Sequence, residues 1–192
     1  MYLIFDTETT GKAKDFKHKP STNTNWPYIV QLAWLLTDGE VVVEQGNFII
    51  QIGDKAVEKG AEDIHGLSQE YCNKYGVKLR RALTMFADAC SKANFIVAHN
   101  YNFDSNVVAS EMLREGIAPD FLKMTSICTM DKSTDFCKLK SNFGKGYKWP
   151  KLIELHKHLF DSEFDGAHNA MVDVEACAKC LFKLIEEGVI EC

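Results

Sequence analysis

The chain has 192 residues, 46% of them hydrophobic and 26% charged, with 12 Gly and 4 Pro. That composition fits a single globular domain over residues 1–192 and excludes collagen-like, low-complexity and disordered chains. No apolar run exceeds five residues, so none spans a bilayer, and a net charge of −5 argues against coating duplex nucleic acid by electrostatics alone.

In chain order, Tyr2–Glu8 predicts a strand running into a turn at Thr9-Thr10-Gly11. Residues 12–27 are polar, lysine-rich and carry two prolines, which predicts a long loop. Tyr28–Thr37 and Val41–Ile50, joined by Asp38-Gly39, predict a hairpin. Helices are expected over Glu62–Tyr75 and Leu79–Ala93, then a short buried strand at Phe95–Ala98. A helix from Phe103 to Glu115 should stop at Gly116, and Lys123–Cys128 reads as another strand. Lys151–Leu159 starts a helix after Pro150, and a last helix runs from Asn169 to Glu187. Leading strands followed by alternating helices and strands predict an α/β sheet.

A strand that begins at Tyr2 leaves no room for a signal peptide. With an odd count of seven scattered cysteines, the expectation is reduced thiols in a soluble, cytoplasmic protein. Cys177 and Cys180 form a lone CxxC that His156 and His158 would have to complete as a zinc site. The pair sits in an amphipathic helical pattern with no second cysteine knuckle, so core packing is the better reading. Basic residues concentrate at Lys12, Lys14, Lys17 and Lys19, and again at Lys138, Lys140, Lys145, Lys148 and Lys151. The second stretch interleaves Phe143, Tyr147 and Trp149, a mixture suited to holding phosphates and bases together.

The carboxylates carry the chemical signal. Asp6 and Glu8 alternate on a strand, so they share a face with Tyr2 and Ile4. Buried acids are costly unless paired or bound to a metal. Asp104 falls near a helix start, where an acid also commonly caps. The last helix repeats Ala170, Val174, Cys177, Leu181 and Leu184 as its inward stripe, and Asp173 falls on or beside that stripe. His168 stands at the entrance to this helix. Four acids and a histidine suit hard ions such as Mg²⁺ or Mn²⁺. Two such ions can activate a water and stabilise the leaving oxygen of a phosphodiester, and an imidazole can take the proton of that water.

Three segments, Leu3-Ile4-Phe5-Asp6-Thr7-Glu8-Thr9-Thr10-Gly11, His99-Asn100-Tyr101-Asn102-Phe103-Asp104 and His168-Asn169-Ala170-Met171-Val172-Asp173, resemble the three motifs of the DEDDh 3′–5′ exonucleases. Ile64-His65-Gly66-Leu67 also fits. The resemblance implies an RNase H-like fold, a mixed five-stranded sheet flanked by helices. It implies that Asp6, Glu8, Asp104 and Asp173 bind two Mg²⁺ or Mn²⁺ ions and that His168 is the general base. It further implies that Thr9, Thr10 and His65 hold the terminal nucleotide, with Asn100 and Phe103 close to substrate.

The function expected is hydrolysis at the 3′ end of single-stranded nucleic acid, DNA favoured over RNA, with release of nucleoside 5′-monophosphates. The bacterial proofreading subunit of this family has a further tail for its polymerase. This chain stops soon after its last helix, so a free-standing enzyme with no obligate polymerase partner is expected. The alternatives are an oligoribonuclease-like enzyme on short RNA, a phosphodiesterase of small nucleotides, and a catalytically silent nucleic-acid-binding adaptor.

Overall fold

The computed structural model describes all residues except 142, 143, 145 and 192, so Phe143 and Lys145 of the second basic stretch lie outside the described residues. Its centre is one mixed sheet of strands β1 (Tyr2–Thr9), β2 (Ile29–Thr37), β3 (Val42–Ile49), β4 (Phe95–Ala98) and β5 (Thr125–Cys128), in the order β3-β2-β1-β4-β5. The first three strands form an antiparallel meander, whereas β4 and β5 add in parallel beside β1. All nine residues of β2 are buried, as its Val, Ile, Leu and Trp content requires of a strand covered on both faces.

Helices cover both faces because alternate residues of β1 point both ways. Leu3 and Phe5 join Trp34, Phe86 and Val108 in one core, under α3 (Leu79–Ser91) and α4 (Tyr101–Arg114). Ile4 joins Ala33, Val97, Leu155 and Leu181 in the other, under α6 (Leu152–Phe160) and α7 (Ala170–Glu186). Cys177 and Cys180 are buried in this second core, and the six described cysteines are free thiols. No helix among the described residues is long and apolar enough to cross a membrane.

The elements differ from expectation in three places. The stretch read as one helix from Glu62 to Tyr75 is two, α1 (Lys59–His65) and α2 (Gln69–Tyr75). Gly66 breaks it at φ 74°, a left-handed C-cap whose N–H bonds back to the Glu62 carbonyl. A further helix, α5 (Thr129–Cys137), escaped the periodicity reading. Its inward residues are Thr129, Ser133 and Cys137, so the stripe is polar, and Ser133 Oγ returns its proton to the Thr129 carbonyl at 2.7 Å. The strand placed at Lys123–Cys128 is shorter than expected, because a 3-10 turn occupies Asp120–Lys123.

The register of β1 creates the place for a site. It pairs with β4 only at Tyr2, Leu3 and Ile4, although it continues to Thr9. Beyond Ile4 that edge is open to the N-terminal turn of α4, at the carboxyl end of three parallel strands. Such an end, at a point where strand order reverses, is where α/β sheets bind ligands.

Candidate active site

The open edge of β1 leaves the Thr7 N–H without a strand partner, and a buried backbone donor needs one. Asp104 supplies it. Its Oδ1 accepts from Thr7 N at 3.1 Å and from Thr7 Oγ1 at 2.7 Å, tying α4 to β1 across 97 residues of sequence. Asp104 is thus buried and aimed at the sheet rather than capping its own helix. Asn100 precedes α4 at φ 73°, a left-handed conformation that Asn tolerates better than most residues.

Asp6 and Glu8 stand on the face of β1 that carries Ile4 and turns toward α7. α7 is anchored there by Gln31 of β2, whose Oε1 accepts from Ala170 N at 3.1 Å and whose Nε2 donates to Asn47 Oδ1 at 2.9 Å. Asn169 caps the helix by accepting from Met171 N at 3.2 Å. This brings Asp173 to the cleft, where its Oδ2 accepts the backbone N–H of His168 at 2.9 Å. His168 is exposed and adopts φ 71°, uncommon for any residue that bears a Cβ and of the kind that persists where the surroundings enforce it.

Asp6, Glu8, Asn100, Phe103, Asp104, His168 and Asp173 all line one cleft of about 510 Å³. Ligand atoms of Glu8, His168 and Asp173 lie within 4.8 Å of one another. Burial drives every one of the four acids upward, and neighbouring carboxylates reinforce it at Asp6, Glu8 and Asp104, whereas His168 partly offsets it at Asp173. Asp6 rises well above the usual carboxylate range, Glu8 reaches about 8, Asp104 about 7, and Asp173 is also raised. No Lys or Arg pairs with any of them among the described residues. Four crowded oxygen-donor side chains with no Lys or Arg partner among the described residues fit a site for hard divalent cations, which favour carboxylate ligands.

The other expected residues are placed apart from this cleft. Thr9 and His65 line an adjoining hollow that also reaches Glu8 and Lys12. Both have their polar atoms engaged internally. His65 Nδ1 accepts from Leu67 N at 3.0 Å, so Nε2 carries the proton and donates to the Thr9 carbonyl at 3.1 Å. Burial lowers the pKa of this imidazole, consistent with that neutral tautomer. Thr9 Oγ1 donates to the Gly11 carbonyl at 2.7 Å. Thr10 lies farther off, beside Lys12 and Lys14, with its Oγ1 accepting from Tyr28 N at 3.1 Å.

Of the basic stretches, Lys12, Lys14, Lys17 and Lys19 are exposed on a loop whose Phe16 ring packs 6.2 Å from Phe103. Lys148 pairs with Glu154 at the start of α6 and braces its own segment. Residues that single-sequence reading missed are Thr7, Gln31 and His99. The first lay in view, between two acids of one motif, but its partner was 97 positions away.

A family model described as Exonuclease, of the RNase T type, matches residues 3–181. The PolC-type DNA polymerase III of Mycoplasmopsis pulmonis is 25% identical over 172 residues, which are 90% of this chain and 10% of that polymerase. The uncharacterized exonuclease CP81 of Escherichia phage 186 is 25% identical over 175 residues, covering 89% of this chain and 81% of the phage protein. Among solved structures, E. coli exonuclease I in complex with a dA16 oligonucleotide superposes with a TM-score of 0.73 at 18% identity, over 96% of this chain and 40% of that one. Exonuclease I from Methylocaldum szegediense gives the same score, identity and shares. The chain therefore spans a tenth of the polymerase and less than half of the exonuclease I chains. The sheet, its helices and these likenesses make the fold RNase H-like, and by the family match the chain belongs to the RNase T-type exonucleases.

Proposed function

We propose that this chain is a metal-dependent 3′–5′ exonuclease that removes nucleoside 5′-monophosphates from the 3′ end of single-stranded nucleic acid, DNA in preference to RNA. The observation that carries the reading is the convergence of Asp6, Glu8, Asp104 and Asp173 with His168 in one cleft, where no Lys or Arg among the described residues pairs with the acids. The preference for DNA is supported by the polymerase relative and by exonuclease I, a structural neighbour in complex with a dA16 oligonucleotide. Cytoplasmic residence is the compartment in which the free cysteines stay reduced.

Asp6, Glu8, Asp104 and Asp173 would hold two Mg²⁺ or Mn²⁺ ions. Bound there, such ions lower the pKa of an attacking water and offset charge on phosphate and leaving oxygens. The chain's own residues do the rest. His168 stands at the cleft mouth and its ring accepts the proton of the water as that oxygen bonds to phosphorus. The bond from phosphorus to the 3′ oxygen of the upstream nucleotide breaks, and that oxygen regains a proton from solvent. The His168 N–H to Asp173 bond keeps base and acid in one fixed relation. Thr7 holds Asp104 in its rotamer, and Phe103 offers a ring on which a base can stack. Asn100 shapes the same wall, while Thr9, Thr10 and His65 hold the end of β1 against which the terminal nucleotide rests.

The test is digestion of 5′-labelled single-stranded DNA and RNA of equal sequence with Mg²⁺ or Mn²⁺, with and without chelator. Stepwise shortening from the 3′ end, mononucleotide product and loss of activity with chelator are expected, faster on DNA. Intact substrates in the presence of either metal would overturn the proposal.

A further inference from the structure

The chain has three tryptophans, and two of them, Trp26 and Trp34, are fully buried. Trp149 is 67% exposed, yet it does not stand on loose chain. On one side, Lys148 N donates to the Leu139 carbonyl at 2.9 Å. On the other, Pro150 is buried and its carbonyl accepts from His99 Nε2 at 2.9 Å. Since a carbonyl only accepts, Nε2 carries the proton, and His99 Nδ1 accepts from Thr129 Oγ1 at 3.0 Å. Burial pushes this imidazole down to about 4, so the neutral ring persists at physiological pH.

His99 adjoins Asn100 and the start of α4, which carries Phe103 and Asp104. The wall bearing Trp149 is therefore fastened to the wall bearing Phe103, and both rings line the cleft that contains the four acids. Phe103 is backed by Phe16 and Trp26 at 6.2 and 6.1 Å, but Trp149 has no ring partner among the described residues. An indole carried on backbone anchored at both sides, open to water and lining a cleft beside phosphate-directed chemistry, is a stacking platform without its guest. Resting on the exonuclease reading, we propose that Trp149 is a substrate-binding residue that stacks on a nucleobase within the last two nucleotides of the 3′ end.

The test uses the whole chain. Trp149→Ala and Trp149→Phe are compared with wild type in steady-state digestion of dT12. In parallel, tryptophan emission is followed as the chain is titrated, with Mg²⁺, against dT12 carrying phosphorothioate linkages at its 3′ end, and against a version whose last two nucleotides are abasic. We expect KM to rise ~5- to 100-fold in Trp149→Ala, the range of one lost base stack, with kcat within threefold and most of the loss restored in Trp149→Phe. Emission of wild type should change with dT12 but not with the abasic form, and the response should vanish in Trp149→Phe. Normal digestion with an unchanged KM in Trp149→Ala, or an emission change equal for both oligonucleotides, overturns the stacking role while leaving the exonuclease reading intact. Absence of both digestion and binding by wild type would instead sink the exonuclease reading, and the stacking role with it.

Discussion

Asp104→Asn should make the metal-free protein more stable while abolishing its activity. The variant keeps the shape of the side chain and an Oδ1 that can accept both Thr7 bonds, at 3.1 and 2.7 Å, so only the charge is removed. Lifting the Asp104 carboxyl from 3.8 to about 7 disfavours its ionised form in the folded protein by roughly 4 kcal/mol. A raised folded pKa means that the native state binds the proton more tightly than the unfolded chain does. The penalty is therefore absent below about pH 4, grows as pH rises, and is complete above about pH 7. At pH 8 in chelator, the Asn variant should exceed wild type by ~2–4 kcal/mol, read as a rise in Tm of roughly 5–15 °C. At pH 5 the gain should shrink to ~1–2 kcal/mol. Added Mg²⁺ should stabilise wild type and close the gap, because a ligand bound only by the native state adds RT ln(1 + [L]/Kd). Urea melts at both pH values, with and without Mg²⁺, decide the matter. A variant no more stable than wild type at pH 8 in chelator would refute the argument that uncompensated charge dominates this cleft.

Two further outcomes follow from single residues. His168→Gln should lower kcat by ~10²–10⁴, the usual worth of a general base, with Mg²⁺ affinity by calorimetry within about threefold; a kcat within threefold of wild type would remove His168 from the proton-transfer role. Gly46→Ala should lower Tm by several degrees with no change in KM, because a Cβ there would overlap the buried Trp34 ring and overpacking of this kind costs about 1–3 kcal/mol. An unchanged Tm would show that the indole can shift within its aromatic setting of Phe48 and Phe86.

The parts of this molecule that the sequence made legible are those where a short-range pattern coincides with a physical requirement. Asp6 and Glu8 continue the strand face of Tyr2 and Ile4, and Asp173 falls on or beside an inward stripe at helical spacing, so each announces a carboxylate where a carboxylate is unwelcome. Asp104 was ambiguous because its position four residues into α4 satisfies a helix-start preference equally well. What distinguishes it is the open edge of β1, which leaves the Thr7 N–H to a partner 97 residues away that no local window contains. The same reason hid Gln31, a polar residue in a fully buried strand whose purpose emerges only when Ala170 arrives to donate its backbone N–H to it. α5 failed differently: its inward face is Thr129, Ser133 and Cys137, which hydrophobic periodicity does not register.

The pairing of β1 with β4 over only Tyr2, Leu3 and Ile4 explains why this site lies where it does. Were β4 to continue alongside Phe5, Asp6 and Thr7, the Thr7 N–H would belong to a strand ladder and Asp104 would lose the donors that hold it. Because β4 ends at Ala98 and the chain turns at Asn100 into α4, the backbone donor stays free and the acid of the helix is drawn to it. The charge cluster is then a consequence of satisfying backbone: fixing Asp104 to Thr7 places it beside Asp6 and Glu8 on the neighbouring strand positions, and the anchoring of α7 through Gln31 completes the set with Asp173. Apolar packing on both faces of the sheet holds these elements at that separation, so the repulsion among the acids cannot relax by moving apart. It can relax only by taking up protons, as the raised pKa values of all four acids register, or cations, and a cation entering at neutral pH must displace the proton that Glu8, at about 8, still holds.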